Sequence, residues 1–327
     1  MAEPALLPTP LLYPQKYDAA SDALFFQPMD ETAYRAASFL DDRILAAGEW
    51  RTAAAVEQAM AQAQAARPLH LIFHTGHVGS TLLSRLVDET GVVLGLREPL
   101  PLRTLAEMHD AHSPAFAPRL GLFLKLWRRG FAGTHSVVLK ATSTGGRLAP
   151  ELLAASPLSK AVYLNLRAEP YLATLLAGAN AMIDLRGFEA ERSARLRALV
   201  ATPWTAQSIG ELAAMSWLAE SLTRARALER CGARILPLDF EAMLRDLDAT
   251  VATVLRHFDI PAPPGFAAGR SPVLTRYSKA PQQFEYSPHV RAQLLAQARR
   301  EHAGEIRKGL AFLERLAHSE PGVAGLL

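Results

Sequence analysis

Three stretches of the chain carry residues that could hold an anion. In the first, an apolar run from Leu69 to His74 meets a loop bracketed by Gly76 and Gly79, passing through His77 and Val78. Ser80, Thr81 and Leu82 then open a helix whose apolar positions continue at Leu83 and Leu86. Strand, glycine loop, hydroxyls and helix start form the layout that turns backbone N–H groups and a helix N-terminus toward negative charge. A phosphate is the natural guest, and a capped helix after an ordinary tight turn is the plainer alternative. The spacing is not that of the magnesium-nucleotide loop, G-x-x-x-x-G-K-[ST]. Here it is Gly76-x-x-Gly79-Ser80-Thr81, with no lysine before the hydroxyls.

The second stretch is the short strand-like run from Ser136 to Leu139, which ends in Lys140 and continues to Thr142 and Ser143. The third runs from Ala161 to Leu166, ends in Arg167, and has Thr174 about two helical turns later. A solvated cation at a strand end is common. Three such ends in register along a parallel sheet converge on one crevice, because ligands of such sheets sit beyond the strand carboxyl ends.

The elements that must position them follow from the alternation of short apolar runs and helical patterns. Strands are expected near residues 69–74, 92–95, 136–140, 161–166 and 235–238, with helices between them. The expected fold is α/β, a P-loop-type three-layer α/β/α domain with a mainly parallel sheet. It spans residues 67–327, after a lead-in over residues 1–66 that packs on the core. That lead-in is read as a Pro-rich irregular segment over 1–28, then a helix over 30–47 with Asp30 and Thr32 as candidate caps, and a helix over 50–66. Residues 179–211 read as a helical insertion or lid, 269–287 as a loop, and 288–317 as a C-terminal helix.

Composition narrows the class. Of 327 residues half are hydrophobic and a fifth charged, so a sizeable core is available and disorder is not the default. The formal charge of +3 does not call for nucleic acid. A single cysteine, Cys231, excludes an intrachain disulfide. No apolar run of about 18 residues predicts a membrane span, and the first residues lack a basic-then-apolar secretory pattern. A cytoplasmic protein is expected.

Lys140 separates two chemistries. Magnesium-dependent nucleotide enzymes place a carboxylate at a strand end near the loop to hold the metal. A strand ending in a cation favours direct binding of a polyanion without metal. Asp239, after Ile235 to Leu238, is the one acid that would support the magnesium alternative, and Phe240-Glu241 behind it also fit a plain helix cap. Glu98, just after a strand, is the first choice for a general base, with ion pairing to Arg97 or Arg103 as its alternative; His109 and His112 are further candidates. His70 and His74 on one strand lie about 13 Å apart at about 3.3 Å per residue, too far to share a metal ion.

Taken in order, these residues resemble the P-loop sulfotransferases that use 3′-phosphoadenylyl sulfate, especially the diverse bacterial group. His77-Val78-Gly79-Ser80-Thr81-Leu82-Leu83 is similar to that family's [RK]-S-G-[ST]-[TS]-[LW]-L loop. Val138-Leu139-Lys140 with Thr142 is similar to its strand ending in lysine. Ala161 to Arg167 with Pro170 resembles its second strand, and Trp217 and Ile235 to Phe240 resemble later segments. The match covers about residues 69–260, with Tyr277-Ser278-Lys279 as a possible continuation.

The resemblance implies a sulfotransferase that moves a sulfuryl group from 3′-phosphoadenylyl sulfate to a hydroxyl or amine of a small-molecule, carbohydrate or peptide acceptor, with no metal. It implies that the loop from Gly76 to Leu82 holds the 5′-phosphosulfate and that Lys140, His77 or both stabilise the leaving oxygen. It further implies that Arg167 and Thr174 take the 3′-phosphate, that Arg276 and Lys279 close over the donor, and that Glu98 is the base. Three departures stand out. His77 replaces the usual Arg or Lys, Thr174 lies seven residues after Arg167, where the family has serine at eight, and the family's C-terminal Arg-Lys-Gly loop is not visible, so that Arg276 and Lys279 would have to serve for it. An ATP- and magnesium-dependent kinase-like enzyme, or a nucleotide-binding protein that no longer catalyses, are the alternatives.

Overall fold

The structure, a computed structural model, describes residues 7–44, 47–61, 66–275 and 288–327. The N-terminal part runs β1 (Leu12–Asp18), β2 (Ala23–Pro28), α1 (Glu31–Ala36), β3 (Glu49–Thr52) and α2 (Ala53–Met60). The alternation then begins: β4 (Leu69–His74), α3 (Ser80–Asp88), β5 (Val93–Arg97), α4 (Pro101–Asp110), α5 (Phe116–Trp127), β6 (Ser136–Lys140), α6 (Ala149–Ala155), β7 (Ala161–Asn165) and α7 (Ala168–Leu176). Three helices follow, α8 (Ala179–Gly187), α9 (Glu189–Arg197) and the long α10 (Ile209–Cys231), before β8 (Ile235–Asp239), α11 (Phe240–Arg245) and α12 (Leu247–His257). The chain closes with α13 (Pro288–Glu301), α14 (Ala303–Ser319) and a short turn, α15 (Pro321–Ala324).

Five strands form one parallel sheet in the order β5-β6-β4-β7-β8, with β4 at its centre. The period-2 alternation of the strands sorts their side chains onto two cores. Ile72, Val138, Val162 and Leu164 face a layer built on α3, α7, α10, α12 and the C-terminal helices. Leu69, Leu71, Phe73, Val137, Leu139 and Tyr163 face a second layer of α4, α5, α6 and the N-terminal part. The fold is therefore the three-layer α/β/α arrangement that the sequence predicts. After β4 the chain crosses to β5 on one side, returns through β6, and passes to β7 on the other. The crevice at the carboxyl ends of β4, β6 and β7 is the switch point where such sheets bind ligands.

The lead-in differs from its expected form. In place of an irregular segment and two long helices there is a three-stranded antiparallel sheet, β1-β2-β3, with two short helices. Pro14 is accommodated because β1 is an edge strand and the register slips between Pro14 and Lys16. Asp30 does cap a helix, accepting from Ala33 N at 2.7 Å, but that helix ends at Ala36. Arg129, buried, fastens this region by donating to the carbonyls of Leu7, Thr9 and Leu12 as well as Leu126. The expected C-terminal helix is two helices, α13 and α14, that part at His302.

Candidate functional site

The loop after β4 is built from its backbone outward. Thr75 N donates to Leu164 O on β7 at 3.1 Å, and Ala141 N, just past β6, donates to Ile72 O at 3.0 Å. The central strand is thus tied on both sides where it ends. Gly76, His77 and Gly79 all have positive φ, +88°, +53° and +70°. Such a run of turned peptides gathers N–H groups into a concavity for an anion. Ser80 opens α3 with no side-chain cap, so the first N–H groups of the helix face the same space. Gly79 is further required by crowding, because a Cβ there would lie 2.1 Å from the Phe240 ring.

Two side chains with no role in the loop by sequence pattern, His74 and Tyr171, shape it. The His74 ring accepts from Gly76 N at Nδ1, 3.1 Å, and meets Ala141 O with Nε2, 2.9 Å. That pairing places the ring proton on Nε2 and makes the ring a brace between the β4 and β6 ends. His70, on the same face, is at the other end of the strand, stacked on Phe258 at 4.7 Å, where burial lowers its pKa to about 4. Tyr171 of α7 donates its hydroxyl to Thr75 O at 3.0 Å. A Cβ on Gly76 would lie 3.4 Å from that hydroxyl and 3.9 Å from Ser143 Oγ, so the segment after β6 meets the loop.

Lys140 and Glu98 meet. Arg97 and Lys140 are paired in the β5–β6 register, and Glu98 N donates to Lys140 O at 2.8 Å. Glu98 then turns with φ +58°, and Lys140 Nζ donates to its Oε1. The lysine side chain is 1% exposed and the glutamate 15%. Burial pushes the Glu98 carboxyl up, but Lys140, with Arg43 and Arg103 beyond it, pulls harder and leaves it below the usual range. The expected Glu98 pairing with Arg97 or Arg103 is corrected accordingly: Arg97 donates to Asp88 and to the carbonyls of Tyr34 and Ala37, fastening α1 to the sheet. The Phe39 ring packs beside this pair, with the Arg43 guanidinium 3.5 Å and Lys140 Nζ 5.8 Å from its centroid.

Arg167 is the N-cap of α7 and is exposed. Its strand end is fixed from behind, because Trp217 of α10 donates Nε1–H to Leu166 O at 2.8 Å. Thr174 lies about 10 Å further along the helix at about 1.5 Å per residue, and its hydroxyl donates to Pro170 O at 2.7 Å. The hydroxyl proton is therefore engaged within the helix. Asp239 acts as the N-cap of α11, accepting from Ala242 N at 2.8 Å. His109 lies against Phe116 and within 3.8 Å of Glu151, and His112 is exposed. Arg276 and Lys279 lie outside the described residues, as does most of the expected 269–287 loop.

Helices α8 and α9 occupy the expected insertion. His77 Nε2 lies 3.3 Å from Asp184 Oδ2 on α8, and Arg192 of α9 donates to the same oxygen at 3.0 Å. Arg192 is 3.7 Å from Glu220 on α10, which also pairs with Arg195 at 2.5 Å. Hydrogen bonds from His77 and Arg192, and the charge of Arg192, hold the Asp184 carboxyl far below its ordinary range against the opposing effect of burial. Asp184, 107 residues from His77, has no local motif to mark it.

No family model and no curated protein matches the chain. Among solved structures it is similar to a sulfotransferase from Alicyclobacillus acidocaldarius, with 16% identity over 78% of this chain and 97% of that one, at a TM-score of 0.42. A sulfotransferase from Mycobacterium avium matches at 12% identity over 75% of this chain and 79% of that one, TM-score 0.40. The sulfotransferase domain of the curacin biosynthetic pathway matches at 12% identity over 69% and 86%, TM-score 0.39. All three are sulfotransferases.

Proposed function

We propose that the protein is a sulfotransferase that takes its sulfuryl group from 3′-phosphoadenylyl sulfate. The observation that carries this reading is the pairing of two features on adjacent strands. The loop after β4 presents turned N–H groups and an uncapped helix start, and the strand beside it ends in a buried lysine, Lys140, held by Glu98. A dianionic phosphate suits the first feature, and charge growing on a leaving oxygen suits the second.

In this reading the N–H groups of Gly79, Ser80 and Thr81 hold the 5′-phosphate oxygens, and His77 and Lys140 stand toward the bridging oxygen. The donor supplies an activated sulfur. A new bond forms between the acceptor oxygen or nitrogen and sulfur as the bond from sulfur to the phosphate oxygen breaks. Glu98, ionised beside Lys140, accepts the proton that the acceptor loses. Lys140 shares its ammonium between Glu98 and the developing negative charge, so the pair loosens as transfer proceeds. Arg167, exposed at the start of α7, takes the 3′-phosphate through its planar fork.

The 3′-phosphate gives a clean test. Adenosine 3′,5′-bisphosphate should bind at least tenfold more tightly than adenosine 5′-monophosphate. Arg167→Ala should erase that preference while leaving the monophosphate affinity near wild type. Equal binding of the two nucleotides by the wild-type chain would overturn the assignment of Arg167 and of the donor.

A further inference from the structure

The loop lacks the fixed cation that its resemblance calls for, because His77 stands there. A neutral imidazole gives a phosphate far less than an ammonium or guanidinium does, so the charge state of this ring decides what the loop can do. His77 itself is in the left-handed region and its side chain is only 11% exposed, so its ring has limited freedom. A carboxylate in contact with that ring, Asp184, comes from α8, outside the sheet and its loops.

We propose that Asp184 is a positioning residue for His77: its carboxylate orients the imidazole at the loop and holds it as a cation, so that the helical insertion supplies the positive charge missing from the loop sequence. The inference rests on the donor assignment above. The geometry is a relay. Asp184 Oδ2 is 3.3 Å from His77 Nε2, and Arg192, buried beneath, fixes the same oxygen at 3.0 Å. Arg192 is in turn balanced by Glu220, wholly buried on α10, which Arg195 also engages.

The groups packed around His77 are consistent with this role. Behind Asp184 the charges alternate, Arg192 positive, Glu220 negative and Arg195 positive, with Glu191 of α9 3.9 Å from Arg195. From β4, His74 faces the loop with its ring committed to Gly76 and Ala141. From α7, Tyr171 contributes a hydroxyl whose pKa burial raises to about 12, so it remains neutral. A carboxylate in contact favours the imidazolium over the imidazole, and a bound phosphate favours it further.

The test compares adenosine 3′,5′-bisphosphate affinity from about pH 6 to about pH 9 in four full-length forms: wild type, Asp184→Asn, His77→Arg, and the double variant. Wild-type affinity should fall about tenfold across that range as the ring loses its proton. Asp184→Asn should lose the same affinity at a pH about one unit lower. His77→Arg should bind independently of pH, and adding Asp184→Asn to it should cost less than about twofold. A merely structural Asp184 would weaken binding equally at every pH and equally in both backgrounds, and that result overturns the proposal. So does a wild-type affinity that does not change with pH. Absence of binding by every form at every pH contradicts the donor assignment itself, and this inference with it.

Discussion

Lys140 and Glu98 form a buried ion pair across the ends of two neighbouring strands, and the glutamate reaches it by turning its backbone into the left-handed region. The register explains why they meet: Arg97 opposes Lys140, so Glu98, the first residue past β5, hangs over the lysine. The same residues that hold the sheet edge together are those assigned to proton and charge transfer. Stability and activity should therefore be separable at this pair by the choice of substitution.

Lys140→Met alone strands a largely buried carboxylate and should cost about 3 kcal/mol of unfolding free energy. Adding Glu98→Gln removes the stranded charge and should recover most of that loss. Urea unfolding checks this, and sulfuryl transfer should remain absent in both variants. Full recovery of transfer in the double variant would remove the pair from the chemistry.

Acid should act through the same carboxyl. A glutamate depressed in the folded state stabilises the fold above its unfolded value of 4.5 and loses that contribution as pH falls through the folded value. Below about pH 4.5 the wild-type chain should thus lose stability more steeply than Glu98→Gln, whose side chain does not titrate. Thermal unfolding of the two proteins between about pH 3 and about pH 6 measures the difference in slope.

Gly79 and Gly91 offer a controlled comparison, since their φ values are nearly equal, +70° and +74°. At Gly91 an added Cβ meets nothing within 4 Å, so alanine should cost only the left-handed strain, about 1 kcal/mol. At Gly79 the same methyl runs into the Phe240 ring and should cost about 3 kcal/mol or more, with loss of nucleotide binding. Similar melting temperatures for the two variants would show that the loop yields freely at Gly79.

Arg129 is a structural arginine of an unusual kind. It donates to four carbonyls, and among the described residues it has no carboxylate partner. Burial lowers its pKa to about 10, so it remains charged at neutral pH. Arg129→Met leaves those carbonyls without their donor and should cost about 3 kcal/mol. Limited proteolysis should then cut near residues 7–12 before the sheet domain opens.

The parallel sheet and the loop were legible because their signals are local. Short, mostly apolar runs mark β4, β6 and β7, and Gly76 and Gly79 mark a turn that only a positive φ completes. The cap roles of Asp30 and Asp239 were legible for the same reason. The strands of the lead-in were not, since Pro14 argues against a strand unless the edge position and the register slip are known. Asp184 and the Glu98–Lys140 pair are long-range contacts, 107 and 42 residues apart, fixed by topology and helix docking rather than by neighbouring residues. Thr174 shows the converse. It stands about two helical turns beyond Arg167, and its hydroxyl donates to Pro170 O one turn earlier.

The most direct measurement is calorimetric titration of the wild-type chain with adenosine 3′,5′-bisphosphate and, separately, with ATP, each in EDTA and in magnesium. The account predicts micromolar or tighter binding of the bisphosphate in EDTA, unchanged by magnesium, and weaker binding of ATP. Binding of ATP alone, and only with magnesium, would contradict it and return Asp239 to the role of a metal ligand.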